Sequence, residues 1–202
     1  MGHLFTITFI VWGNTICIYE RIMSSLAIYL LCLSIPIVGV GTDSTLYAQK
    51  VGETIWGDFN GDGKKESASV KLIKKGHGNP VEDGVPSEYA IRFSDKKLKD
   101  IKIGCCDSRL INEGDLNNDG RDDLSVFQEP MNGCTYSMFT YSLKGSTWKK
   151  IIPLFLIPTA CDYFTDKQLQ DRIFLENKSL YKYEEDFSGE NWRLVKIKIN
   201  LR

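Results

Sequence analysis

The decapeptides GDFNGDGKKE (57–66) and GDLNNDGRDD (114–123) write one design twice in a chain of 202 residues. Asp58, Asn60, Asp62 and Glu66 stand at loop positions 1, 3, 5 and 9 of the first copy. Asp115, Asn117, Asp119 and Asp123 stand at the same positions of the second, 57 residues further on. Odd spacing in a tight loop turns alternate side chains inward, so their oxygens converge on one centre. Gly63 and Gly120 at position 6 permit the reversal that a residue with a Cβ resists. At position 7 the backbone carbonyls of Lys64 and Arg121 offer one further oxygen each.

Three carboxylates gathered in this way repel one another and tend to hold protons unless a cation sits among them. Calcium accepts about six to eight oxygen ligands in flexible geometry, whereas magnesium demands a compact octahedron and keeps its water. Zinc is poorly served: His77 is the only histidine beyond residue 41, and no cysteine borders either loop. The expectation is two Ca2+ sites. An EF-hand is excluded, because position 12 holds Ser69 or Val126 where glutamate is needed, and the flanks read as strands. Asn-Gly and Asp-Gly also form turns without any ion. Two copies in one register, each with the ninth carboxylate, favour ligation over a solvated turn.

Around these loops the chain reads as all-β. ETIWG, SASVKLI, EYAIRF and LKDIKIG give four strand-like segments after Val51, and RLINEG, LSVFQ, TYSMFTYSL and TWKKIIPL give four more. A period of this size points to stacked or radially arranged β units. The units are expected at about 51–103 and 104–153, with a partial third at 154–202 that includes a short helical segment in TDKQLQDRIF. YSLKGSTWKK and YEEDFSGENWRLVK read as matching closing hairpins. The two main units differ by one residue in their apolar places, Ala68, Val70 and Leu72 against Leu124 and Val126. A bulge or an inserted residue has to absorb that slip.

At these residues the sequence resembles the calcium-binding FG-GAP, or VCBS-type, repeats of integrin alpha-subunit β-propellers and of secreted bacterial proteins. Their pattern is D-x-[DN]-x-D-G-x-x-D followed by a strand. GDLNNDGRDDLSV is the closer match, and the first copy departs from it with Glu66 and the strand SASV. The resemblance implies antiparallel, blade-like four-stranded units with calcium held by the residues above. Two and a half to three units are too few to close a propeller, which takes at least about four blades. A partial or atypical propeller-like assembly is expected.

Residues 1–41 carry only Glu20 and Arg21 as charged side chains, within two apolar runs. They read as an export signal ending near Gly39-Val40-Gly41, with translation starting at Met1 or near Met23, or as an uncleaved membrane anchor. Either version places 42–202, a single β domain, outside the cytoplasm: secreted, periplasmic or at the cell surface. Cys105, Cys106, Cys134 and Cys161 suggest two disulfides there, with each of the adjacent pair expected to bond to one of the other two.

A formal net charge of −1 gives no basic footprint for nucleic acid. No nucleophile elbow, zinc-protease motif or phosphate loop is present, so no enzyme is expected. Glu82, Asp83 and Glu113 are the carboxylates a glycoside hydrolase reading would need. Of Tyr136, Phe139, Tyr141, Trp148, Tyr181, Tyr183 and Trp192, most are expected in the core or in cross-strand pairs, with one or two exposed. The functional expectation is an exported module that binds a cell-surface protein or a glycan, with calcium structural. The alternative is an envelope protein with no ligand beyond calcium.

Overall fold

The computed structural model describes residues 6–12, 15–21, 29–33, 50–186, 188 and 192–201. The chain divides into two units, Met1–Leu46 and Tyr47–Arg202. In the first, β1 (Thr6–Trp12), β2 (Thr15–Arg21) and β3 (Tyr29–Leu33) pair in sequence order as an antiparallel sheet. Among the described residues no helix is long and apolar enough to cross a membrane. The Gly39-Val40-Gly41 pattern expected to end an export signal lies outside the described residues.

The second unit opens with β4 (Val51–Gly52) and β5 (Thr54–Gly57). Then come β6 (Glu66–Lys74), β7 (Glu88–Phe93) and β8 (Ile101–Gly104). Strands β5 to β8 form a four-stranded antiparallel meander. Next are β9 (Ser108–Gly114), β10 (Asp123–Gln128), β11 (Thr135–Lys144) and β12 (Thr147–Pro158). These four make a second meander, and β4 adds to the free edge of β9 to give the order β12-β11-β10-β9-β4. All eight strand-like segments legible in the sequence are strands.

A short helix, α1 (Asp166–Gln170), follows. Thr165 caps it by accepting from Gln168 N–H, while the Gln168 side chain accepts from Thr165 N–H at 2.8 Å. This reciprocal box satisfies N–H groups that a first helical turn leaves unpaired. Finally β13 (Ile173–Glu176), β14 (Ser179–Asp186) and β15 (Arg193–Ile199) pair as a third antiparallel sheet. One boundary differs from expectation. LFLIP, read as the start of a third unit, is the end of β12, because register shifts opposite Met138, Thr140 and Tyr141 carry the β11–β12 pairing on to Thr135 and Pro158.

The five-stranded sheet is covered on both faces, and alternation along its strands divides the core in two. Leu110, Leu124, Val126, Phe139 and Tyr141 face Ile55, Ala68, Ile91 and Phe93 of the four-stranded sheet. Ile111, Phe127, Met138, Ile152 and Ile157 face Leu169 of α1 and Ile173 and Leu180 of the third sheet. Double coverage makes β10 buried at five successive positions, Asp123 through Phe127. Its one small polar residue inside the sheet, Ser125, is satisfied by the Thr140 hydroxyl at 2.7 Å on the neighbouring strand.

The one-residue slip between the two acidic-loop repeats is absorbed by a β-bulge. Asp123 pairs with Gly114 but Leu124 pairs with Asn112, leaving Glu113 as the extra residue. The equivalent pairing in the four-stranded sheet, Glu66 with Gly57 and Ser67 with Trp56, has no such irregularity. The bulge restores the facing, so Leu124 and Val126 share a core with Ala68 despite their shifted places in the sequence.

The disulfide expectation is overturned. Cys105 bonds to its neighbour Cys106, and Cys134 bonds to Cys161. The β11–β12 pairing brings Cys134 beside the end of β12, where Thr159 N–H donates to the Cys134 carbonyl at 2.8 Å. That register leaves Cys161 as its partner, and the turn before β9 keeps the adjacent pair to itself. The Cys134–Cys161 bond suits an oxidising compartment outside the cytoplasm.

Candidate metal centre

Each acidic loop is anchored by the apolar residue at its position 2. Phe59 is fully buried in the first core, where it meets Phe93 edge to face at 5.8 Å between centroids. Leu116 is buried in the second core. In both loops this buried residue's N–H donates to the ninth carboxylate: Phe59 to Glu66 Oε2 and Leu116 to Asp123 Oδ2, each at 3.0 Å. The position-9 carboxylate is therefore drawn in under the loop and desolvated. Asp123 is fully buried and Glu66 nearly so.

The remaining positions repeat the same wiring. In the first loop the Asp58 carboxylate accepts from the N–H groups of Gly61, Asp62 and Gly63 at 2.8, 3.0 and 2.9 Å. Asn60 Oδ1 accepts from Asp62 N–H, and Asp62 Oδ1 from Lys64 N–H. In the second loop the Asp115 carboxylate accepts from Asp119 and Gly120 at 3.0 and 2.8 Å. Asn117 accepts from Asp119 N–H, and Asp119 from Arg121 N–H. Gly63 and Gly120 both have φ +83°, the left-handed region anticipated for position 6.

The loops differ in how far their carboxylates converge. Oxygens of Asp58, Asp62 and Glu66 lie within 4.8 Å of one another. Among the described residues this is the one acidic group so gathered, and Asp115, Asp119 and Asp123 stand further apart. Asn60 Nδ2 donates into the first cluster, to Glu66 Oε1 at 3.0 Å and Asp62 Oδ2 at 3.3 Å. It also reaches Asp95 Oδ2 at 3.1 Å, in the turn between β7 and β8. In the second loop Asn117 Nδ2 donates instead to Ser142 Oγ at 2.7 Å, and only weakly to Asp123 at 3.5 Å. Lys64 and Arg121 stand at position 7, and Arg121 braces its loop by donating to the Leu143 carbonyl at 2.8 Å.

Burial and crowding show in the acidities. Burial pushes Glu66 up; the Phe59 hydrogen bond opposes this, and the charges of Asp58, Asp62 and Asp95 add to it. Burial lifts Asp123 to about 7 against the hydrogen bonds from Ser142 and Leu116, with Asp119 and Asp115 adding repulsion. Glu113, the bulge residue, rises to about 8, chiefly through burial and then through Asp123; hydrogen bonding by Ser125 and the charge of Lys50 oppose it. Its Oε1 is buried without a hydrogen-bond partner. Carboxylates held in this way are stabilised in their charged form by a nearby positive charge.

Three contributors were not legible in the pattern. Asp95 and Ser142 come from distant strands and turns, so no local spacing announces them. Asp122, at position 8, is matched in the first loop by Lys65, so the repeat hid it. Its carboxylate accepts from Asp58 N–H at 3.0 Å and from Asn112 Nδ2 at 2.9 Å, tying one acidic loop to the other.

The other singled-out residues fall elsewhere. His77 is exposed in the β6–β7 connection, where it bridges to Val85, and Glu82 and Asp83 are exposed in the same connection. Phe139 and Tyr141 are buried, Trp148 stacks on Phe93 at 4.9 Å, and Tyr181 and Tyr183 pack on Phe174. Trp192 is largely exposed. No protein-family model, curated protein or solved structure matches this chain.

Proposed function

We propose that the chain is an exported calcium-binding β-repeat module in which calcium is structural. The observation that carries this reading is the shared wiring of the two loops. Positions 3, 5 and 9 accept from positions 5, 7 and 2 in both loops, and position 1 accepts from positions 5 and 6 in both, with Gly61 added in the first, each loop joining the first two strands of a four-stranded meander. The acidic cluster Asp58, Asp62 and Glu66 adds a donor set of hard oxygens. With Asn60 and the Lys64 carbonyl it matches what calcium accepts. Asp115, Asn117, Asp119, Asp123 and the Arg121 carbonyl form the second site, whose carboxylates draw together when the ion binds.

In this reading the four-stranded meander and the β9–β12 meander are successive blade-like units, and β13–β15 is a shortened third. Calcium fixes the loops joining the first two strands of each main unit, and the stiffened surface presents a binding face to a cell-surface protein or glycan. Calcium titration calorimetry on the chelator-stripped chain, with magnesium as control, tests it. Two calcium equivalents at micromolar to millimolar affinity are expected. No heat, together with a melting temperature unmoved by calcium, overturns it.

A further inference from the structure

We infer a second binding site, for an alkylammonium group, at the end of the five-stranded sheet opposite the acidic loops. Strand β9 runs from this site at Ser108 to the second loop at Gly114, a span of roughly 20 Å. Between the ends of β9, β10, β11 and β12 lies a cavity of about 220 Å³. A cavity of about 150 Å³ accommodates a benzene-sized ligand, so a short alkyl chain with a charged head fits here.

The walls are aromatic. Phe127 stacks on Tyr136 with centroids 4.6 Å apart and on Phe164 at 6.2 Å, and Tyr163 stands at the rim, 75% exposed. Around them stand four carboxylates, those of Glu53, Asp107, Glu129 and Asp162, against one guanidinium, that of Arg109. All four acids belong to exposed residues.

The hydrogen-bonding polarity of the lining then selects the ligand. Arg109 is committed to the Phe164 carbonyl and to Asp166. Thr159 Oγ1 donates to the Cys134 carbonyl at 3.0 Å, and Ser108 Oγ points to the Cys106 carbonyl. Tyr136 is hydrogen-bonded to Glu129. Apart from the Tyr163 hydroxyl at the rim, the side-chain donors named here are engaged internally, and the lining presents π-faces and acceptors. A carboxylate ligand needs donors from its site, and a neutral sugar gains nothing from the net negative charge of the lining, whereas an ammonium group supplies its own donors and is attracted by both ring faces and carboxylates. The cavity already shows the preference, since the Arg109 guanidinium lies 4.8 Å from the Tyr163 ring centroid. The two disulfides border the site, Cys105–Cys106 beside Asp107 and Cys134–Cys161 beside Asp162, and hold its rim in shape.

The probe is n-butylammonium chloride, titrated into the full chain at low ionic strength and followed by backbone amide shifts. Saturable binding is expected, with shifts centred on Phe127, Tyr136 and Phe164, while 1-butanol of the same shape leaves those amides unmoved. Glu129→Gln and Tyr163→Ala each weaken binding by roughly threefold to tenfold, and Glu82→Gln, an exposed acid in the β6–β7 connection, leaves it unchanged. Tyr163 is exposed, so its variant folds and keeps the test decisive if Glu129→Gln does not. A Gly-Lys-Gly peptide separates the sources of the group: tighter binding than butylammonium assigns the site to a lysine of a partner chain, equal binding to a free amine. Equal shifts with 1-butanol, or equal weakening by Glu82→Gln, overturn the inference. Calcium is absent from this titration, so its outcome is independent of the acidic loops.

Discussion

Asp58 and Asp122 exchange two hydrogen bonds: Asp58 N–H donates to the Asp122 carboxylate at 3.0 Å, and Asp122 N–H donates to the Asp58 carbonyl at 2.9 Å. Position 1 of the first acidic loop is thereby fastened to position 8 of the second. Asn112 Nδ2 completes the joint by donating to the Trp56 carbonyl and to Asp122. The two loops are one structural element assembled from two sheets.

The joint leaves no room at Gly57. A Cβ there meets Asn112 Nδ2 at 2.5 Å, Asp122 Oδ2 at 2.7 Å and Phe59 Cζ at 2.8 Å. Gly57→Ala is therefore expected to destabilise the fold by about 2 kcal/mol through overpacking. Gly63→Ala, where nothing lies within 4 Å but φ is +83°, costs only about 1 kcal/mol of left-handed strain. Urea unfolding of both variants checks the order. A Gly57→Ala cost no larger than that of Gly63→Ala contradicts the joint.

Asp119 accepts from Arg121 N–H and is exposed, so its role without an ion is minor. Asp119→Ala is expected to abolish one calcium equivalent and to remove most of the calcium-induced rise in melting temperature. Its calcium-free stability should fall by no more than about 1 kcal/mol. Calorimetry and thermal unfolding with and without calcium measure both. Equal destabilisation in the two conditions assigns Asp119 to turn geometry.

Calcium-free stability should decline as pH rises. Asp123 has its folded pKa raised from 3.8 to about 7, and Glu113 from 4.5 to about 8. Between the unfolded and folded values the native state keeps a proton that the unfolded chain has shed. Stability from these groups is thus full below about pH 4 and is lost up to about pH 8, by at most about 1.4 kcal/mol per pH unit per group. Glu113→Gln removes one of these groups and should flatten the upper part of the curve. Denaturant unfolding at pH 5 and pH 8 in chelator checks the slope, and a rise in stability with pH rules the account out.

The Cys134–Cys161 bond closes a loop with a sequence separation of 27. In the chain-entropy account a loop of that size stabilises by about 3.6 kcal/mol. Cys161→Ser should lower stability by about that amount and loosen the cavity beside Asp162. Cys106→Ser constrains almost no chain and should cost far less. Unfolding curves of the two variants decide it.

Alternation and turn chemistry by themselves determined the eight strands of the two main units, the short helix after Phe164 and the residues of both acidic loops. These are local properties: the side-chain period of a strand and the φ demanded at position 6 are fixed within a few residues. The one-residue slip between Ala68 and Leu124 was legible as well, because a misplaced apolar set has to be turned back toward its core. The tertiary structure decided the rest. It placed the slip at Glu113 and chose Cys161 for Cys134 through the register of β11 on β12. It brought Asp95 to the first loop and Ser142 to the second from far away in sequence, and joined Asp122 of the second loop to Asp58 of the first. The reason is common to all of these: pairing register and sheet-on-sheet packing set which distant residues meet, and no local spacing encodes that meeting. The same packing buried Asp123 and Glu113 and so moved their acidities, whereas the sequence shows only two ordinary carboxylates.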